Sequence, residues 1–206
     1  MTATNFDLQR VQRWRKVAMG VGLIGAVALA ALTGSVGGDT AWHEGIEAVG
    51  LGMIVICIVG RAWCSLYIGG RKKAEIVDRG PYSISRNPLY LFSFIGAFGV
   101  GAQTGSVTLA LVFTVLTFAV FHFTIQREET WLSTAFGADY ALYRARTPRY
   151  GPDFSKWRDQ ESIEVRPRFF LTTLRDGLVF LLAVPVFESL EMLQQSGWIA
   201  VLARLP

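Results

Sequence analysis

The sequence predicts an all-α, polytopic membrane helical bundle with about five transmembrane helices, two of them joined as a helical hairpin. Three observations carry that class. Of the 206 residues 51% are apolar and only 17% charged, with a mean hydropathy of +0.36, whereas an average soluble domain carries about 25% charged residues. Uncharged runs of nineteen and twenty residues recur along the chain, each long enough as a helix to cross about 30 Å of hydrocarbon. The basic residues, finally, gather in alternate connecting segments. Cys57 and Cys64 both lie in an apolar stretch, which gives neither a disulfide framework nor zinc-ligand spacing.

Val17 to Val36 is the first span, twenty residues without a charge. Arg10, Arg13, Arg15 and Lys16 precede it as they would a signal peptide, but the run is longer than a usual signal core and more apolar segments follow. Ile46 to Ile68 is the second, with Arg61 near its far end, where the side chain can snorkel to the interface. Residues 88–102 form a short third helix, about 21 Å long at 1.5 Å per residue. Pro88 suits its first turn, where a missing N–H costs nothing. Gln103 to Ser106 turns the chain directly into Val107 to Ile125, nineteen uncharged residues that complete the hairpin. Gly96, Gly99 and Gly101 at this spacing permit close helix packing. Residues 177–202 place Phe187, Leu190, Gln194, Trp198 and Val201 on one face. That tail reads as a fifth span, an interfacial helix or a helix packed on a partner subunit. The whole of 1–206 is expected to form one domain.

The twenty Lys and Arg set the orientation. Four precede the first span, and five lie between spans two and three: Arg71, Lys72, Lys73, Arg79 and Arg86. Nine more lie between Arg127 and Arg175, and residues 37–45 and 103–106 contain none. The positive-inside rule puts the N-terminus, 69–88 and 126–175 in the cytoplasm. The isoelectric point of 9.3 then reflects topology and lipid headgroups, and nucleic acid is not needed to explain it.

Two cytoplasmic segments differ from the rest. Residues 75–90 read EIVDRGPYSISRNPLY, and 126–152 read QREETWLSTAFGADYALYRARTPRYGP. Both are dense in Arg, Glu, Tyr and Pro, and both abut a span, where ionisable groups are candidates for function. The order GPY, SRNP and Y opening a hairpin, then REE, FG, a YxxY pair and PRYxP, resembles the isoprenylcysteine carboxyl methyltransferase and phospholipid methyltransferase superfamily. The likeness covers about residues 75–152. Members that methylate prenylcysteine commonly carry Arg-His-Pro where this chain has Arg86-Asn87-Pro88, and often a glycine where it has Phe92.

The resemblance implies an integral-membrane enzyme that takes S-adenosylmethionine from the cytosol, through cofactor-binding loops, and a lipophilic substrate from the bilayer. Methyl transfer is an in-line displacement that rests mainly on proximity and alignment, worth about 7–11 kcal/mol. Glu128 and Glu129 suit the cofactor's positive groups, or pair as interfacial charges with Arg127 or Arg144. Arg86, or backbone N–H groups near Pro88, suits its carboxylate, while Tyr82, Asn87 and Tyr90 offer hydrogen bonds and a ring face. Arg149 is the candidate for an anionic substrate group, approaching from the side opposite the glutamates, since a guanidinium grips carboxylate or phosphate with two bonds. Arg144 and Arg146 read as headgroup contacts. Tyr140 and Tyr143 either close over the site or belong to the aromatic belt. His122, with Gln126 and Glu129 at i+4 and i+7, is the candidate proton acceptor, or a buried histidine satisfied by a neighbour.

An amine must first lose a proton, with only His122 or one of the glutamates, Glu129 foremost, to assist. A carboxylate nucleophile needs no base, which favours O-methylation over methylation of a phospholipid amine or a thiol. A small transporter or a structural subunit are the readings of a different class. Both fit less well, because the polar residues collect at the span ends and not within the spans.

Overall fold

The computed structural model describes residues 3–36, 40–72 and 74–206, without the side chains of 3–12, 15, 16 and 19. Lys73 and the side chains of Arg10, Arg15 and Lys16 lie outside the described residues. Seven helices account for nearly all of the regular structure: α1 (Ala3–Leu32), α2 (Ala41–Ile68), α3 (Pro81–Ile84), α4 (Pro88–Ala102), α5 (Val107–Arg146), α6 (Pro167–Leu178) and α7 (Ala183–Gln195). Among the described residues, three helical stretches are long and apolar enough to cross a membrane: α2, α5 and the run Pro167–Gln195. Gly20–Leu32 and Pro88–Ala102 are shorter apolar helices.

The bundle is assembled on α2. Small residues let α4 lie against it: a Cβ added at Gly99 would come within 2.6 Å of the Gly50 carbonyl, and one at Gly96 within 2.4 Å of Cys57 Sγ. Backbones that close gain dispersion contact where no hydrophobic force acts between helices in lipid. Gly101 makes the same approach to Ala110 on α5. Gly96, Gly99 and Gly101 are therefore packing residues. A core of Ala26 and Ala30 from α1, Ile54 and Ile58 from α2, Leu109 and Phe113 from α5, and Ala183 and Phe187 from α7 ties the four helices together.

Helix α4 has the bounds expected of 88–102, whereas α2 begins at Ala41 and not at Ile46, and three other segments differ in kind. The first helix stops at Leu32, because Thr33, Gly34 and Ser35 leave it for a short strand, β1 (Thr33–Ser35), parallel to β2 (Ala203–Leu205). The Gln194 amide donates to the carbonyls of Ala30, Ala31 and Thr33 at 2.9–3.2 Å, satisfying groups that a helix end leaves unpaired. The tail helix begins at Pro167, ten residues before its expected start, and tightens to a 3₁₀ turn over Val179–Leu182. Pro185 explains the tightening: it has no N–H and crowds the carbonyl four residues back. Gly197, with φ +80°, ends the helix as a left-handed cap. Trp198 thus leaves the helical face assigned to it and is 84% exposed.

The third difference bears on the site. Residues 126–146 are not a loop but the continuation of α5, because Gln, Arg, Glu, Leu and Ala are strong helix formers whatever their polarity. The helix is broken once, at Gly137, with φ 52° and ψ −120°, and Thr147 before Pro148 ends it. That glycine turns the last nine residues so that Tyr143 donates to the Tyr82 carbonyl at 2.8 Å. An alanine there meets no atom within 4 Å, so only backbone strain opposes it. Gly137→Ala should therefore destabilise the protein by about 1–3 kcal/mol, measured by thermal unfolding in detergent. An unchanged midpoint would show that this kink is not enforced.

Candidate functional site

The site forms where three chain segments meet at one end of the bundle. Gly80 and Pro81 turn the chain into the single-turn helix α3, which carries Tyr82 and leads to Ser85, Arg86 and Asn87 before α4 begins. The irregular segment 147–158, which includes a 3₁₀ turn at Phe154–Lys156, is laid across α3 by backbone bonds: Arg86 N–H to Pro148 O at 2.8 Å, Asp153 N–H to Ile84 O at 2.9 Å and Gly80 N–H to Arg158 O at 2.7 Å. Trp157 stacks on Trp63 of α2, 5.9 Å between centroids, which anchors the far end of the segment.

Glu129, on the extension of α5, is the hub. It is 6% exposed, and five N–H donors surround it, among them Arg86 Nη2, which reaches Oε2 at 3.4 Å. Arg86 Nε reaches Oε1 at 3.1 Å, Asn87 Nδ2 reaches Oε1 at 3.2 Å, and Arg149 reaches Oε2 with Nε at 3.1 Å and Nη2 at 2.8 Å. Arg86 also donates through Nη1 to the carbonyls of Arg144 and Thr147, both at 3.0 Å. Two guanidiniums around one carboxylate leave an excess positive charge in a partly buried setting. The bonds from Arg149 to Glu129 hold its guanidinium even further above its ordinary proton affinity, so it stays charged at any working pH.

The expected site residues sort as follows. Arg86, Asn87, Glu129 and Arg149 form one connected cluster, with Pro88 fixing the start of α4 behind it. Arg149 does not face the glutamates from the opposite side; it grips Glu129 directly, because the chain after Pro148 folds back onto α3. Glu128 points elsewhere, its Oε1 2.7 Å from Lys72 Nζ. Adjacent positions on a helix diverge by about 100°, so the two glutamates cannot share partners. Tyr82 and Tyr90 are buried. Burial pushes the Tyr82 phenol well above its ordinary pKa, and the Tyr90 ring packs 4.9 Å from that of Phe121.

Tyr140 and Tyr143 are both buried next to the cluster and so are not belt residues. The Tyr140 hydroxyl has no hydrogen-bond partner among the described residues. His122 lies apart: its Nδ1 is 2.8 Å from the Tyr150 hydroxyl and its Nε2 2.8 Å from Gln126, and it does not line the cavity described next. Arg146, with Arg158, binds Asp78, so it is a protein contact and not a free headgroup ligand.

A cavity of about 1200 Å³ opens beside this cluster and runs down between the helices. Arg86, Asn87, Glu128, Glu129, Tyr140 and Tyr143 line its polar end, while Leu89, Ala97, Val100, Phe113, Phe180 and Phe187 line its apolar depth. Pockets for drug-sized ligands measure about 300–1000 Å³, so this one has room for two molecules or one long one. Arg61 also lines it. Its expected snorkelling does not occur: the side chain turns into the bundle and donates to Ser93 Oγ on α4. An ionisable residue within a span is itself a signal of such an inward role. His43 is buried at the other end of α2 with Glu47 at 3.1 Å and Glu191 at 3.6 Å.

Comparison with known proteins adds the following. Residues 49–139 match the family described as phospholipid methyltransferase. The nickel-cobalt-cadmium resistance protein NccN of Alcaligenes xylosoxydans xylosoxydans is 34% identical over 96% of this chain and 90% of its own length. The cobalt-zinc-cadmium resistance protein CzcN of Cupriavidus metallidurans is 34% identical over 75% of this chain and 72% of its own. The protein-S-isoprenylcysteine O-methyltransferase of Schizosaccharomyces pombe is 30% identical over 43% of this chain and 38% of its own. No solved structure matches.

Proposed function

Because this chain belongs to the superfamily of phospholipid methyltransferases and isoprenylcysteine carboxyl methyltransferases, we propose that it is an integral-membrane, S-adenosylmethionine-dependent methyltransferase of a lipophilic substrate, acting by O-methylation of a carboxylate. The observation that carries this reading is the cavity, which joins a charged cluster at the end of the bundle to an apolar interior among the spans. The residues at its polar end fit the cofactor: a buried carboxylate, an excess guanidinium charge and an orphaned buried hydroxyl on Tyr140 match an ammonium, a carboxylate and a further polar group. Glu129 would take the ammonium, Arg86 the carboxylate and Glu128 a further positive group, while Arg149 holds Glu129 from outside the cavity lining.

When bound, S-adenosylmethionine supplies a methyl group activated on a sulfonium. The chain's own contribution is to hold the two reactants in line and to keep water out, through the closure of Tyr140 and Tyr143 over the cluster. Of the candidate bases, His122 is engaged with Tyr150 and Gln126 outside the cavity lining, and Glu128 and Glu129 are paired with Lys72 and with Arg86 and Arg149. A carboxylate nucleophile requires none, whereas an amine would. Incubating membranes that contain the protein with methyl-labelled cofactor and a lipid extract tests this. Label that alkali releases as methanol is expected. Alkali-stable label would move the reaction to an amine or thiol, and no labelled lipid would remove the methyltransferase reading.

The distribution of basic residues favours a cytosolic N-terminus and a cytosolic cluster. An impermeant maleimide added outside should label Thr40→Cys and miss Lys156→Cys, whose parent residue is exposed on the segment crossing α3; the native Cys57 and Cys64 are buried. Strong outside labelling at 156 would invert the topology.

A metal-linked role is a second reading, favoured by one observation beyond the relatives' names. His43, Glu47 and Glu191 bring one ligand atom each to within 4.8 Å of one another, a donor set suited to borderline divalent ions. If it operates, Glu191→Gln should lower cellular nickel or cobalt tolerance without changing methyl transfer. Unchanged tolerance would discard it.

A further inference from the structure

Arg61 is the one charged side chain lining the apolar depth of the cavity for which the described residues provide no countercharge. It sits seven residues before the end of α2, about 10 Å below the helix terminus at 1.5 Å per residue. Its surroundings are the Ser93 hydroxyl and the ring of Phe180, 5.9 Å from the guanidinium carbon. Its Nε is buried without a hydrogen-bond partner, and among the described residues no carboxylate lies within ion-pair distance. A guanidinium carries five donors, so most of its capacity is unspent.

An uncompensated charge at membrane depth costs several kcal/mol and marks a ligand path or a binding group. A ring face and one neutral hydroxyl reduce that cost without cancelling the charge. The other two arginines of the site are already neutralised in part by Glu129; Arg61 is not. The planar fork of a guanidinium matches a carboxylate or phosphate with two parallel bonds, and the apolar walls around it exclude the water that would otherwise compete.

We propose that Arg61 and Ser93 form an anion subsite that fixes the carboxylate or phosphate head of a lipophilic ligand inside the cavity, below the Glu129 cluster. This rests on reading the cavity as the substrate's place, but not on the transfer of a methyl group.

Binding of hexadecanoate, hexadecyl phosphate and hexadecanol to the full chain in detergent tests the proposal and distinguishes the two heads. One or both anions should bind at least about tenfold more tightly than the alcohol, the effect of a charge-assisted bond. Arg61→Gln should abolish that preference. Equal affinity of all three amphiphiles for the parent, or a preference that survives in Arg61→Gln, would overturn the subsite. Should that variant fail to fold, crosslinking of the parent with a hexadecanoic acid bearing a diazirine beside its carboxyl group decides. Attachment within residues 57–64 or 89–97 supports the subsite, and attachment confined to 140–150 contradicts it. Titration of the same preparation with S-adenosylmethionine separates the two readings. Anion preference without cofactor binding removes the methyltransferase and keeps the subsite; cofactor binding without anion preference does the reverse.

Discussion

Glu129→Gln should destabilise the protein by about 3–5 kcal/mol, the cost of removing one partner of a buried ion pair. The amide is isosteric but neutral, so the side chain of Arg86, only 9% exposed, loses its countercharge and keeps its desolvation cost. Arg149 contributes less to that loss because its side chain is 37% exposed and water screens it. The effect should be non-additive. In Arg86→Gln/Glu129→Gln both charges disappear together, and the double variant should be more stable than the sum of the singles implies. Thermal or denaturant unfolding in detergent measures all three proteins. A Glu129→Gln variant within about 0.5 kcal/mol of the parent, the range of ordinary surface changes, would mean that the cluster does not hold this end of the bundle together.

Gly80→Ala is the second large expected effect. Gly80 has φ 52° and ψ −132°, a region that side chains hardly enter. A Cβ there would lie 2.4 Å from the ring of Tyr67, so strain and overpacking act together. Their sum is about 2–6 kcal/mol. The residue fixes the entry to α3, from which Tyr82 and Arg86 are positioned, so cofactor binding should fall along with stability. Gly151→Ala, which meets nothing within 4 Å, should leave both unchanged. Equal behaviour of the two variants would show that the turn at Gly80 tolerates side chains and that the site does not depend on it.

How much of this was legible in the sequence differs by element. Residues 88–102 could be delimited closely because Pro88 favours the first turn of a helix and the 103–106 link turns directly into the next one. The extension of α5 could not be, because hydropathy marks where a span leaves the hydrocarbon, at Ile125, and not where the helix stops. Helix propensity over QREETWLS carried that information instead. The membership of the cluster was largely visible in the types and order of Arg86, Asn87, Glu129 and Arg149. Its wiring was not. Glu128 and Glu129 look alike in sequence, and only the phase of the helix decides which one meets Arg86. Half of the bonds made by Arg86 go to the carbonyls of Arg144 and Thr147, and a carbonyl has no residue identity to read. Arg61 is the opposite case. Its position within a span was plain, but its direction depends on Ser93 and Phe180, which lie far along the chain.

Calorimetric titration of the detergent-solubilised protein with S-adenosylmethionine tests the central claim most directly. The parent should bind one cofactor, and Glu129→Gln, in preparations shown to be folded, should bind it about 10- to 150-fold more weakly, the equivalent of a lost charge-assisted hydrogen bond at about 1.5–3 kcal/mol. A folded parent that gives no binding heat and no displacement of labelled cofactor would contradict the assignment of this cluster as a cofactor site.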